Sequence, residues 1–193
     1  GRLTRTCSYL CETTVNLNGG TLALLGDAAS VDAAIPSLNV CAGGAKFEVG
    51  GAATVSSPLV HDASLGDEPD GGLVKTGAGT LTIAAESSFT GPVDVREGTL
   101  ALADGADPIA ALRVDMSGTS GAITGFRTAP DAVLYIDNYP GKMRGTVVLP
   151  LALSGTGAFD TVYVNGELQQ YRRAYVKDGK LTTCGAGQVL IIR

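Results

Sequence analysis

A short glycine-led segment recurs along the chain, and this recurrence restricts the possible folds more than any other feature. Residues 15–24 return as residues 93–102, each running from an alternating apolar stretch through glycine into Thr-Leu-Ala-Leu. Residues 44–49 and 79–83 are looser copies of the second half. Each copy is a glycine turn followed by a strand with every second side chain apolar, so one face of each strand is predicted to be buried.

The spacing of the copies indicates a coiled chain. Their leading glycines stand at positions 20, 44, 79 and 98, which gives steps of 24, 35 and 19 residues. Steps near 20 residues are typical of one coil of a β-solenoid, in which equivalent strands pair in parallel. We interpret residues 56–72, inside the long step, as an excursion from the coil. Six side chains of the repeated strands are predicted to point inward: Leu22, Leu24, Leu81, Ile83, Leu100 and Leu102.

The pattern changes in the last third of the chain. Asn165-Gly166 and Asp178-Gly179 each separate two β-prone stretches, as in type I′ hairpins. Gln188 to Ile192 is predicted to be a closing strand. We therefore expect an all-β chain, with a solenoid over residues 1–144 and an antiparallel cap or small β module over residues 145–193. A single helical turn is expected from Asp107-Pro108 to Leu112, because Asp suits an N-cap and Pro the first helical position.

Composition excludes some classes of partner. The formal net charge of the 193 residues is −5, with 14 Lys and Arg and 19 Asp and Glu. A nucleic-acid-binding face needs clustered Lys and Arg, so we expect no nucleic-acid partner. No apolar run reaches about 18 residues, so no membrane-spanning helix and no direct membrane insertion are expected.

Residues 71–83, with Lys75-Thr76-Gly77-Ala78-Gly79-Thr80-Leu81, closely resemble the autotransporter-associated β-strand repeat. Residues 89–100, ending in Gly98-Thr99-Leu100, match its second half, so the repeat covers about residues 71–102. The resemblance implies a right-handed parallel β-helix. It also implies an extracellular or surface-displayed bacterial passenger, structural and often adhesive, with no catalytic residues in the repeat.

These patterns favour a non-enzymatic structural or adhesive module, with a host-surface or glycan ligand as its partner and no cofactor. Two alternatives remain open: a carbohydrate-binding module, and a β-helical enzyme acting on polysaccharide. The enzyme hypothesis requires clustered carboxylates or basic residues on adjacent coils. The sequence shows no such cluster in the repeats, and it leaves the oligomeric state open.

Two groups in the long step are candidates for chemistry. His61 could act as a general base that Asp62 orients. However, neighbouring residues of a strand point to opposite faces, and a solvent-exposed loop histidine is the commoner case. Asp67, Glu68 and Asp70, with Asp62, would offer oxygen ligands to calcium. Their spacing matches neither an EF-hand nor a glycine-rich nonapeptide repeat, so a solvated acidic loop is the simpler interpretation.

A third candidate lies near the C-terminus. One face of a regular strand here would carry Tyr171, Arg173 and Tyr175, and the opposite face would carry Arg172. The first three side chains could bind an acidic sugar through charge and ring stacking. Plain surface decoration is the alternative interpretation.

The four cysteines are Cys7, Cys11, Cys41 and Cys184. Cys7 and Cys11 are the better disulfide candidate, because they lie near a terminus and in a polar stretch. Cys41 and Cys184 are either small apolar core residues or a second disulfide.

Overall fold

The computed structural model describes the chain at residues 2–3, 14–103, 108–144, 146–170 and 172–184. These residues form strands joined by tight turns, with a single 3-10 turn at Ala63–Leu65. None of their helical segments is long or apolar enough to cross a membrane. The strands are β1 (Arg2–Leu3), β2 (Thr14–Leu17), β3 (Thr21–Leu24), β4 (Ala29–Val31), β5 (Ser37–Val40), β6 (Ala45–Val49), β7 (Ala52–Val55), β8 (Leu59–His61), β9 (Leu73–Thr76), β10 (Thr80–Ile83), β11 (Val93–Val95), β12 (Thr99–Leu102), β13 (Ile109–Asp115), β14 (Ala122–Asp137), β15 (Val147–Thr156), β16 (Ala158–Phe159), β17 (Thr161–Val164), β18 (Glu167–Leu168), β19 (Arg173–Lys177) and β20 (Lys180–Cys184).

The strands stack in three parallel columns, which we call faces A, B and C. Face A contains β1, β4, β7, β10, β12, the first part of β14 and β15. Face B contains β2, β5 and β8. Face C contains β3, β6, β9, β11, β13, the second part of β14 and β17. The chain visits the faces in the order A, B, C up to β9 and then alternates between faces A and C, and this confirms the predicted parallel β-helix.

The repeated segments lie on two different faces. β3 and β6 pair on face C, with Thr21 opposite Lys46, whereas β10 and β12 pair on face A, with Thr80 opposite Thr99. The step of 35 residues is therefore a change of face. The predicted excursion over residues 56–72 is wrong for its first part, because Leu59–His61 forms β8 and pairs with β5. A glycine turn followed by a strand serves more than one corner of the coil, so the sequence pattern alone does not identify the face.

The core runs along the inside of the coils. Leu81, Ile83 and Leu100 are at most 1% exposed, and Leu24 is 4% exposed. Leu22 and Leu102 are partly buried and pack against the same core. All six side chains predicted to point inward thus contact the apolar interior, as expected from alternation along the strands.

The helical turn expected up to Leu112 is wrong. Residues 109–115 form β13, which pairs in parallel with β11 on one side and with β14 on the other. Ile109, Leu112 and Val114 are buried in this strand. Parallel partners on both edges outweigh the capping signal of a single Asp-Pro pair, which stabilises a helix only weakly.

Antiparallel pairing closes the C-terminal end, as predicted. β15 pairs in parallel with β14 on one edge and antiparallel with β20 on the other, and β19 joins β20 to β16. The hairpins β17–β18 and β19–β20 turn at Asn165-Gly166 and Asp178-Gly179. All four turn residues have positive φ, between 50° and 82°, which a type I′ turn requires. Residues 188–192 lie outside the described residues.

Candidate functional site

A fully buried lysine occupies the centre of the repeat. Lys75 points inward from β9, next to Leu73, and is 0% exposed. Its Nζ donates to the carbonyl oxygens of Gly77 at 2.6 Å, Thr76 at 3.1 Å and Glu97 at 3.1 Å. Burial lowers the pKa of Lys75, because it penalises the charged form. The ammonium therefore uses all three donors to tie its own turn to the turn of the next coil.

A column of glycines stands at the corner before face A, one in each of the four coils that lead into β7, β10, β12 and β14: Gly51, Gly79, Gly98 and Gly121. The coils approach so closely here that a Cβ on Gly79 would lie 2.0 Å from the carbonyl oxygen of Gly51. Gly98 has a φ of +68°, and its Cβ would lie 2.4 Å from the carbonyl oxygen of Gly79. The glycines that precede Thr80-Leu81 and Thr99-Leu100 are thus required by the distance between coils, whereas a Cβ on Gly20, before Thr21-Leu22, would meet no atom within 4 Å.

A second buried network surrounds Asp70. Its Oδ1 accepts hydrogen bonds from the backbone N–H groups of Gly72 and Gly91, both at 2.9 Å. Its Oδ2 accepts from the Thr90 N–H at 2.7 Å, from the Thr90 hydroxyl at 3.1 Å and from Nδ1 of His61 at 3.0 Å. Burial alone would raise the pKa of Asp70, but the hydrogen bonds outweigh it and hold the pKa below its ordinary value. The carboxylate therefore fastens one coil to the next.

The structure gives His61 a different partner from the one the sequence suggested. Asp70, nine residues further on, hydrogen-bonds Nδ1, while Nε2 lies 3.1 Å from the carbonyl oxygen of Gly66. Asp62 instead accepts a hydrogen bond from the Ser64 N–H at 3.0 Å and caps the 3-10 turn. Both ring nitrogens of His61 are thus engaged by acceptors from its own protein.

The candidate calcium ligands separate in space. Asp67 and Glu68 are exposed on the loop, whereas Asp70 is 4% exposed and both of its oxygens accept hydrogen bonds from the protein. Within the described residues, no three His, Cys, Asp or Glu side chains are close enough together to hold a metal ion.

The candidate sugar-binding strand is only partly described, because Tyr171 lies outside the described residues. Arg173 and Tyr175 alternate with the buried Ala174 on β19 and therefore share its outer side. The Arg173 Nε lies 3.1 Å from Asp160 Oδ1, and both side chains are about 70% exposed. Arg172 is only 7% exposed; it donates to the Thr183 hydroxyl and to the Met143 carbonyl, at 3.1 and 2.9 Å.

Two of the four cysteines are described, and both are free thiols. Cys41 is buried and Cys184 is partly buried. Burial and the neighbouring Asp62 raise the pKa of the Cys41 thiol to about 11, which disfavours the reactive thiolate. The predicted disulfide between Cys7 and Cys11 falls outside the described residues.

The outer side of face C carries a column of side chains that the sequence patterns did not predict. Asp94, Arg113, Tyr135 and Tyr163 are register partners in successive strands. The two tyrosine rings stack, with centroids 5.4 Å apart and planes inclined by 17°. The Arg113 guanidinium lies 5.1 Å from the centroid of the Tyr135 ring and pairs with Asp137 at 3.3 Å. We call these four residues the face C stripe.

Asp94 lies at the buried end of the face C stripe. It is 3% exposed; its Oδ2 accepts from Arg96 Nε at 2.9 Å, while its Oδ1 has no hydrogen-bond partner among the described residues. Burial raises the pKa of Asp94, although Arg96 and Arg113 oppose the shift. The stripe thus runs from a buried carboxylate to partly exposed aromatic rings.

Comparison of the chain with curated proteins and with solved structures gave no match. A family model matches residues 73–102, the segment that contains Lys75, Gly79 and Gly98. The family is described as the passenger-associated-transport-repeat, and the match confirms the resemblance to the autotransporter repeat. Passenger repeats of this kind imply a secreted or surface-exposed protein. This chain therefore contains one passenger-type repeat, built into a parallel β-helix.

Proposed function

We propose that the chain is a non-enzymatic structural or adhesive module of a bacterial secreted or surface-displayed protein. The observation that carries the proposal is the use made of the buried charged residues in the repeat and directly before it. Lys75 gives its three donors to backbone carbonyls, and Asp70 accepts from two backbone N–H groups of the next coil and one of its own. Charged groups that are fully bonded to the backbone stabilise the coil and are not available to a substrate.

Rigid display follows from the same arrangement. Each coil is bonded to its neighbours along faces A and C, so the outer side chains keep fixed spacings over many strands. A scaffold of this kind positions a binding surface without ordering it on contact, which lowers the entropic cost of binding.

The face C stripe favours a glycan as the adhesive ligand. Tyr135 and Tyr163 are partly exposed, and Leu168, beside Tyr163 in the next strand, is 51% exposed. Tyrosine presents an apolar ring together with a polar hydroxyl, which suits the mixed apolar and hydroxylated surface of a sugar. Arg113 and Asp137 add a donor and an acceptor beside the rings.

A glycan array combined with a reducing-sugar assay tests the proposal. We expect binding to at least one glycan class, no release of reducing ends, and loss of binding when Tyr135 and Tyr163 are both changed to Ala. Val148→Ala is the control, since Val148 is an exposed apolar side chain on β15, which belongs to face A and not to face C. Binding that survives the double change would remove the stripe from the proposal. Release of reducing ends by the purified chain would overturn the non-enzymatic role.

A further inference from the structure

His61 lies where face B ends, and its surroundings determine its charge. The side chain is 19% exposed, at the end of β8. Nδ1 lies 3.0 Å from Asp70 Oδ2, and Nε2 lies 3.1 Å from the carbonyl oxygen of Gly66. A carboxylate and a carbonyl oxygen are both acceptors, so each contact needs an N–H on the histidine. A neutral imidazole has one N–H and satisfies one contact, whereas the imidazolium satisfies both.

Thr90 contributes a neutral group to the same site. Its hydroxyl lies 3.2 Å from His61 Nδ1 and 3.1 Å from Asp70 Oδ2, and it accepts from the Asp70 N–H at 3.1 Å. Because that hydroxyl uses its proton on Asp70, it cannot donate to the ring. The Thr90 contact therefore also favours a protonated Nδ1.

The charged groups that face His61 are both negative. Hydrogen bonding to Asp70 raises the pKa of His61 most; burial opposes the shift, and the Gly66 carbonyl and the charges of Asp70 and Asp62 add to it. Asp62 is ionised, since hydrogen bonds from Cys41 and Ser64 hold its pKa below the ordinary value. Cys41, from the preceding coil, is a neutral thiol at physiological pH.

We propose that His61 is a pH-dependent switch that holds the loop of residues 62–69 against the coil when protonated and releases it when neutral. On deprotonation, Nδ1 keeps its proton because it faces the buried carboxylate of Asp70. Nε2 loses its proton, and its lone pair then faces the lone pairs of the Gly66 carbonyl. The contact to Gly66 is lost, while the bonds of Asp70 to Thr90, Gly72 and Gly91 remain. The loop opens and the coil stays intact.

The direction of the pH effect follows from the sign of the shift. The pKa of His61 is raised in the folded protein, so the closed loop is fully stabilised below the ordinary histidine value of about 6.5. That stabilisation is lost as the pH rises through the folded-state pKa.

The chain contains one histidine, so the imidazole signals in nitrogen NMR report the protonation state of His61 without overlap from another histidine. We expect imidazolium signals at acidic pH and a midpoint above about 6.5. Above the midpoint, the neutral form should carry its proton on Nδ1. Asp70→Asn should lower the midpoint, whereas Asp67→Asn, on an exposed loop carboxylate with no contact to the ring, should leave it unchanged.

Hydrogen exchange on the wild-type chain measures the loop itself. The exchange rates are first corrected for the intrinsic pH dependence of amide exchange. The amides of residues 63–68 should then lose protection at the same pH as the His61 titration midpoint measured by NMR, while the amides of β9 stay protected. His61→Gln, which cannot change its charge, should show a loop exchange that no longer varies across that pH range. The proposal is overturned by a midpoint at or below about 6.5, by a neutral form protonated on Nε2, or by loop protection independent of the His61 titration.

Discussion

The central role of Lys75 gives a prediction whose size can be worked from its contacts. Lys75→Met keeps an unbranched chain of similar length in the core and removes the three donated hydrogen bonds. Each bond to a charged group contributes about 1.5–3 kcal/mol, so the three bonds together contribute about 4.5–9 kcal/mol. The variant also avoids burying an ammonium group, a penalty of several kcal/mol that offsets part of the loss. The net cost is therefore about 2–4 kcal/mol.

Equilibrium denaturation in urea, followed by far-UV circular dichroism, measures this cost. Lys46→Met is the matched control: Lys46 lies on β6, one coil earlier on the same face, and points to the outer side. We expect the control to change the free energy of unfolding by less than about 0.5 kcal/mol, as most surface changes do. Lys75→Ala should cost about 2 kcal/mol more than Lys75→Met, because it also removes three buried methylenes.

The comparison of Lys75→Met with Lys46→Met is the decisive one. Equal free energies of unfolding for these two variants would refute the reasoning, because the ammonium would then contribute nothing beyond its packing. A loss seen only in Lys75→Ala would assign the residue a purely apolar role.

Three further predictions use the same denaturation assay or its thermal form. Gly79→Ala should cost more than about 3 kcal/mol, since its Cβ would meet a backbone oxygen at 2.0 Å, whereas Gly118→Ala, with open space around it, should be neutral. Arg172→Ala should cost about 2–4 kcal/mol and Arg173→Ala less than about 0.5 kcal/mol, because only the first is buried. A fragment of residues 1–144 should aggregate, as seen by size exclusion, or fail to melt cooperatively, as seen by circular dichroism, because the edge of its last strand is uncovered. A monomeric fragment that melts cooperatively would contradict the capping role.

The sequence predicted the coil because every strand obeys the same local rule. Alternation of apolar residues fixes which side of each strand is buried, and glycine marks the corners, whatever the face. It did not predict the face, since two corners of the coil use similar turns. Residues 20–24 and 98–102 are identical in sequence, yet one copy lies on face C and the other on face A.

The candidate site was harder to predict, because its residues meet only through the coil register. Asp94, Arg113, Tyr135 and Tyr163 are 19, 22 and 28 residues apart, so no fixed period connects them. The residues that the sequence suggested as catalytic or ligand-binding, by contrast, were neighbours along the chain. Arg172 and Arg173 show the limit of that approach: they are adjacent, and one is buried while the other is exposed.

The position of a charged residue in a coil decides whether it can serve a ligand. An inward charge such as Lys75 must be bonded by the backbone of its own or the next turn, because an unpaired charge in the core would cost more than the coil can tolerate. Because it is buried and fully hydrogen-bonded, such a residue stabilises the fold and cannot contact a ligand. An outward charge such as Arg113 keeps about 42% of its side chain exposed and can exchange its partners for those of a ligand. Binding by this chain should therefore respond to changes on the outer side of face C, and its stability to changes at Lys75 and Asp70, with little overlap between the two.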